Sequence, residues 1–284
     1  MKLAAYGINE KATHGPDDTI RLARLAEELG YDSWWAGEHV VLPDPADPAQ
    51  PLEPHEAILD PLVHLAFVAA VTTTLELGTG IIILPQRNPV VLAKEVASLD
   101  VLSNGRLHFG VAAGYLAGEM EAVGVSMTDR GARTDEYLDA MQALWADPVR
   151  SFSGRFVSFS GVDAFPKPVA PGGPRIVIGG YSRPALRRAV TRGHGWYGAD
   201  LDPAATAPIL QELRELTDQV ERPAALGPLD ISITPIDPVD APTAEAYAAL
   251  GVDRLIVYPR PSDDAAQVER FLCDQAEVVI GATG

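Results

Sequence analysis

The chain has 284 residues, and its 39 acidic against 22 basic side chains give a net charge of −17, which argues against nucleic acid or an anionic membrane as partner. No window approaches the roughly 18 uninterrupted apolar residues of a membrane span, and the short apolar start "MKLAAYGINE" looks like a first strand rather than a signal peptide. The single cysteine, Cys273, excludes an internal disulfide framework and points to a reducing, cytoplasmic setting.

In chain order, short β-branched runs alternate with segments of helical period. Leu3–Ile8 reads as the first strand. "DDTIRLARLAEELG" follows as a helix with Leu22, Leu25, Ala26 and Leu29 on one face and a stop at Gly30. Asp32–Ala36 is the second strand, ending in "AGEHVVLP". The long loop "VVLPDPADPAQPLEPHEAILD" comes next, and then a strand over Leu75–Leu84. "NPVVLAKEVASLDVLSNG" repeats the helical pattern, and Arg106–Ala113 is the fourth strand. A small hairpin, "RSFSG" against "RFVSFSG", precedes Arg175–Gly179. Gly195–Ala199, Leu229–Ile236 and Arg254–Tyr258 complete the strands. The last helix uses Val268, Phe271, Leu272, Ala276, Val279 and Ile280, which predicts Cys273 as a packing residue beside that stripe.

Eight strands strictly alternating with helices in under 300 residues are the arithmetic of one α/β domain over 1–284, a (β/α)₈ TIM barrel, which typically needs about 250 residues. A doubly wound open sheet is the competing topology, but no G-x-G-x-x-G follows the first strand. The barrel places the active site at the C-terminal strand ends, so His39, just past strand two, stands at the mouth with the long loop above it.

Several motifs have readings of their own. In "LGTGIIILP", Gly78 and Gly80 interrupt a strand, which marks either a corner kink or a ligand's close approach. "GVAAGYLAGE" ends strand four on small residues. "IVIGGYSRPALRRA" is strand, glycine pair and helix start. Gly179 and Gly180 permit the turn there, Ser182 is an N-cap, Pro184 suits the first helical turn, and the free N–H groups suit an anion. Arg183 and Arg187 lie beyond. His194 of "RGHGW" is not assigned a catalytic role.

Taken together and in order, "GYDSWWAGEHVVLP", "LELGTGIIILPQRNPVVLAKEVASLDVLSNGRLHFGVAAGY", "RGARTDEYLDAMQALW" and "PRIVIGGYSRPALRRAVTRGHGW" resemble the luciferase-like monooxygenase superfamily, in its F420-dependent branch. The resemblance implies a strand-three bulge at Gly80-Ile81, in the family often a non-prolyl cis peptide, pressing on the cofactor ring. It implies His39 as proton donor or acceptor, and Glu38 as the group that orients His39 or holds the ring edge. Ile81, Ile83, Ala113, Gly114 and Tyr115 would line the ring and its side chain, and Gly179, Gly180, Tyr181 and Ser182 would take the phosphate. Asn9, Trp196, Thr234 and Arg260 are expected, with His39, Tyr115 and Tyr181, around the substrate. The implied cofactor is F420, with FMN as alternative. The implied activity is hydride transfer with an enone, ketone or secondary alcohol. The other readings are an FMN-dependent oxygenase and a non-catalytic flavin or deazaflavin carrier. No metal is implied, and a homodimer is.

Overall fold

The computed structural model describes residues 1–46, 53–149, 151–259 and 264–281. Eight parallel strands run in chain order around a closed ring: β1 Lys2–Tyr6, β2 Ser33–Ala36, β3 Glu76–Thr79, β4 Leu107–Ala112, β5 Arg175–Gly179, β6 Gly195–Gly198, β7 Asp230–Ile233 and β8 Arg254–Val257. β1 pairs with both β2 and β8, and β3 pairs with both β2 and β4, so no edge is left and the open sheet is excluded. The helices α1 Pro16–Glu28, α2 Pro61–Ala69, α3 Pro89–Leu102, α4 Ala117–Ala122, α5 Arg130–Trp145, α6 Arg183–Arg192, α7 Pro203–Gln219, α8 Ala241–Leu250 and α9 Ala265–Val279 follow the strands.

A repeated local device starts these helices. Asp60, Asn88, Asp202 and Asp240 each accept a first-turn backbone N–H, and a proline sits at the start of each of those helices, where a missing N–H costs nothing. Asp264 and Gln267 form a full capping box on α9. The sequence-predicted hairpin is present as Phe152–Ser153 paired with Ser158–Phe159. The Glu136 carboxylate anchors its turn, accepting from the N–H groups of Arg155, Phe156 and Val157.

Strand alternation sorts side chains between two cores. Trp34 points outward into the layer between barrel and helices, where its indole N–H donates to His64 Nε2 at 3.0 Å. Trp35 points inward with Ala4, Val177, Tyr197 and Ile256. Its ring covers Gly78, where any Cβ would collide with it. At the N-terminal end the barrel is closed by ion pairs, Arg254 with Asp32 and Glu76 and Arg175 with Asp230, and by a hydrogen bond between His108 and Glu76. His194 belongs to this end too: its Nδ1 accepts the Ile176 N–H at 2.9 Å.

Two expectations are corrected. The run Leu75–Leu84 is not one strand but β3 plus a continuation, Ile82–Ile83. Between the paired positions Gly78↔His108 and Ile82↔Val111, four steps on β3 face three on β4 (82 − 78 against 111 − 108). That extra residue is a bulge. Cys273 is exposed, because the buried face of α9 runs through Val268, Leu272, Gln275, Ala276 and Val279 and leaves it one position off.

Candidate active site at the barrel mouth

The mouth has two unlike walls. Over β3 to β5 it is made of small and aliphatic residues. The Gly80-Ile81 peptide is cis, and the Ile81 side chain lies across Gly110 and Gly179, each of which would collide with it if it bore a Cβ. The Thr79 hydroxyl bridges the bulge, donating to the Gly110 carbonyl and accepting the Gly110 N–H, both at 2.7 Å. Ile83 is buried against Gly114, with Ala113 half-buried beside it. Such a surface accepts a flat ligand closely.

His39 stands at the end of β2, half-buried, with Tyr115 edge-on at 6.5 Å between ring centroids. Its carboxylate partner is not Glu38. His39 Nδ1 lies 3.3 Å from Glu119 Oε2, and Glu119 Oε1 accepts the Val40 N–H at 2.6 Å. Burial alone would raise the Glu119 pKa, but the hydrogen bonds from His39 and Val40 outweigh it and hold the carboxyl below its ordinary value. A buried carboxylate of this kind sets the tautomer and charge of an imidazole.

Glu38 turns the other way, as alternation along an extended chain requires. Its Oε2 accepts the Ile83 N–H at 2.7 Å and its Oε1 accepts Arg87 Nε at 2.7 Å. Burial nevertheless pushes its pKa up against the pull of Arg87. Arg87 also reaches Asp60, the N-cap of α2, so one guanidinium joins the end of β2, the strand past the bulge and the end of the long loop. Glu38 therefore holds the strand past the bulge in place and does not orient His39.

At the turn into α6, Gly180 has φ +110°, and its carbonyl accepts the Trp196 indole N–H at 3.0 Å. Ser182 caps α6 through the Ala185 N–H at 3.4 Å. The Tyr181 hydroxyl both accepts from the Ala199 N–H and donates to the Ala199 carbonyl, and burial pushes its pKa up to about 12. Arg183 is exposed and held by Gln219 at 3.0 Å, with Glu212 at 3.5 Å, and Arg187 is exposed a turn further on.

The expected substrate residues divide. Trp196 faces outward into the helix layer, fully buried, because the register of β6 turns the next residue, Tyr197, inward. Trp196 braces the Gly180 turn instead of lining the mouth. Asn9 is also fully buried, with both amide hydrogens donated, to the Gly37 carbonyl at 3.0 Å and the Leu59 carbonyl at 2.9 Å; it clamps the loop. Thr234 is buried and shares a 2.7 Å hydrogen bond with the Tyr197 hydroxyl. Arg260 lies outside the described residues. Glu119, Arg87, Glu10, Tyr6 and Tyr258 were not singled out in the sequence. Among the described residues no group of three or more His, Cys, Asp or Glu is placed to hold a metal ion.

The sequence profile of luciferase-like monooxygenases matches residues 4–276. An uncharacterized protein of Mycobacterium tuberculosis is 32% identical over 262 residues, covering 88% of this chain and 90% of its own. Among solved structures, the monooxygenase RslO1 from Streptomyces bottropensis superposes with a TM-score of 0.81 at 20% identity, over 100% of both chains. The coenzyme F420-dependent tetrahydromethanopterin reductase from Methanopyrus kandleri does so with a TM-score of 0.77 at 14% identity, over 100% of this chain and 99% of that one. With a barrel mouth of this construction and a profile match along nearly its whole length, the chain belongs to the luciferase-like monooxygenase family.

Proposed function

We propose that the protein is an F420-dependent oxidoreductase that exchanges a hydride with a small organic substrate, an enone, ketone or secondary alcohol. The observation that carries this reading is the His39–Glu119 pair beside the glycine-lined wall: an imidazole held by a carboxylate next to a surface suited to a flat ring. The residues fit such a cofactor. Gly80, Ile81, Ile83, Ala113, Gly114 and Tyr115 would hold the ring and its side chain. The turn Gly179–Ser182 would hold the phosphate, with its left-handed Gly180 and the first-turn N–H groups of α6. Arg183 and Arg187, on the exposed side of α6, suit an acidic tail. When bound, the deazaflavin supplies a carbon centre that gives or takes a hydride. His39 then polarises the substrate or exchanges a proton with it, Glu119 orients the imidazole, and Glu38 with Arg87 keeps the ring-side strand in place.

The same wall and turn would serve FMN in an oxygenase, in keeping with the monooxygenase RslO1. Anaerobic titration with F420 and FMN in both redox states, read by absorbance and fluorescence and followed by oxygen uptake, separates the two. Preferential F420 binding with oxygen-independent turnover supports the proposal. Equal or tighter FMN binding with an oxygen-dependent product sinks it, and tight binding without turnover indicates a carrier.

We further propose a homodimer. The packed helices α2 and α3 leave Val63, Phe67, Val91 and Leu102 exposed, and Leu102 is 72% exposed. Such a row of apolar side chains is commonly covered by a partner. Sedimentation of the Leu102→Glu variant should show monomer where the parent protein shows dimer.

A further inference from the structure

Glu10 is a buried carboxyl at the mouth that neither the His39 pair nor the cofactor cradle uses. It follows β1, and its segment is locked to the long loop: Glu10 bridges Ile58, and the Lys11 N–H donates to the Ala57 carbonyl at 2.8 Å. The Tyr258 hydroxyl, just past β8, donates to Glu10 Oε2 at 3.0 Å. Lys11 Nζ donates to that same hydroxyl at 3.1 Å and lies 3.9 Å from Glu10 Oε2. The bonds share one direction, from ammonium to phenol to carboxyl. Glu10 Oε1 reaches the end of β2. A Cβ on Gly37 would come within 3.2 Å of it and would collide with the Tyr6 hydroxyl. Gly37, two residues before His39, is thus bare where Tyr6 and Glu10 converge. Tyr6 packs edge-on against Tyr258 at 5.0 Å and is half-buried.

The groups facing Glu10 are Lys11 from its own segment, Tyr258 from β8, His39 from β2, Glu56 from the loop, Tyr6 from β1 and Tyr197 from β6. Burial raises the Glu10 pKa against the pull of Lys11, Tyr258 and His39, whereas Glu119 is held low. Two carboxyls tuned in opposite directions at one site are the usual mark of divided acid and base roles.

We propose that Glu10, wired through Tyr258 to Lys11, is a second proton-exchange group of this mouth, serving the substrate oxygen. The proposal rests on the hydride-transfer reading above. In ketone reduction bound, reduced F420 would supply a hydride to the carbonyl carbon as the C=O π bond breaks. The oxygen takes its proton from the Glu10 carboxyl while His39 polarises it. Tyr258 passes its proton to Glu10, Lys11 passes one to Tyr258, and solvent restores Lys11. Alcohol oxidation runs the same chain backwards.

The test has two arms on the full chain. Infrared difference spectra of the protein without cofactor, taken across the carboxyl titration range, should show a carboxyl band that titrates above the ordinary glutamate range. That band should be missing in Glu10→Gln and displaced in Tyr258→Phe. A spectrum unchanged by Glu10→Gln overturns the proposal. In the second arm, reduced F420 is oxidised by 2-cyclohexen-1-one or acetone. Glu10→Gln should lower kcat on the order of 10²-fold, with little change in KM and loss of one limb of the pH profile. Glu10→Asp should recover part of the rate, and Tyr258→Phe, which keeps the ring packing, should slow the same limb. An intact pH profile in Glu10→Gln also overturns it. If the parent protein turns over neither probe, the hydride-transfer reading fails, and Glu10 is judged on the infrared arm alone.

Discussion

His39 Nδ1 and Glu119 Oε2 meet at 3.3 Å across 80 positions of sequence, joining the end of β2 to the short helix α4. Glu119 is almost fully buried and accepts the Val40 N–H with its other oxygen, so its carboxylate is held in place before any ligand arrives. Glu119→Gln keeps the shape and an acceptor but removes the charge. Turnover should fall on the order of 10²-fold with cofactor affinity little changed, measured as kcat beside a binding isotherm. A variant with full turnover would show that the pair is only structural.

This pair shows where the sequence was legible and where it was not. The eight strands could be read because each is a short β-branched run bounded by turn residues, and the alternation with helices leaves one arrangement. The bulge was legible because Gly78 and Gly80 break an otherwise uniform apolar strand. The position of His39 at the mouth was legible from its place at a strand end. The partner of His39 was not, because Glu119 lies in a stretch with no mark of its own, and neighbouring Glu38 offered a nearer acid. Only side-chain direction separates the two: Glu38 and His39 diverge from successive positions. The same blindness misassigned Trp196. "GWYG" contains two aromatics at adjacent positions, and only the register of β6 against β5 and β7 shows that Tyr197 faces inward.

The turn into α6 can be tested against a control within the same chain. Gly180 and Gly251 both have positive φ, +110° and +88°, so alanine at either is strained. Gly251 ends α8 in open space, whereas a Cβ at Gly180 would lie 3.1 Å from the Ala185 Cβ at the helix start. Both variants should lose stability, by about 1–2 kcal/mol. Only Gly180→Ala should also weaken cofactor binding, by more than about tenfold. Normal binding by Gly180→Ala would place the phosphate elsewhere.

His64 gives the fold a pH dependence of its own. Burial lowers its pKa from 6.5 to about 4, and it stays neutral to accept the Trp34 indole N–H. Its Nδ1 finds no partner among the described residues. Below pH 6.5 the unfolded chain takes up a proton that the folded chain refuses until about pH 4. Stability from this group is therefore full above pH 6.5 and falls progressively down to about pH 4, by at most about 3 kcal/mol at ~1.4 kcal/mol per pH unit. His64→Gln keeps an acceptor for Trp34 and cannot titrate. Its urea midpoint should be less sensitive to pH across that window than the parent protein's, and an unchanged slope would rule this account out.

Arg87 should behave as half of a coupled unit with Glu38. The carboxylate is nearly inaccessible and the guanidinium only 17% exposed, so removing the cation leaves a buried charge with the Ile83 N–H as its remaining contact among those described above. Arg87→Met should cost about 3–5 kcal/mol, because the loss is mainly the desolvation of an unpaired carboxylate. Arg87→Lys should recover only part of it, since a single ammonium cannot reproduce the forked contact with Glu38 and Asp60. Glu38→Gln alone should cost less, because the amide oxygen still accepts from Ile83 and Arg87 retains Asp60. In the double variant no buried charge is left behind, so its destabilisation should fall short of the sum of the two single effects by more than about 1 kcal/mol. Denaturant titration of the four proteins measures that difference. Strict additivity would mean that Arg87 steadies the end of the long loop through Asp60 and contributes nothing to the strand end that carries His39.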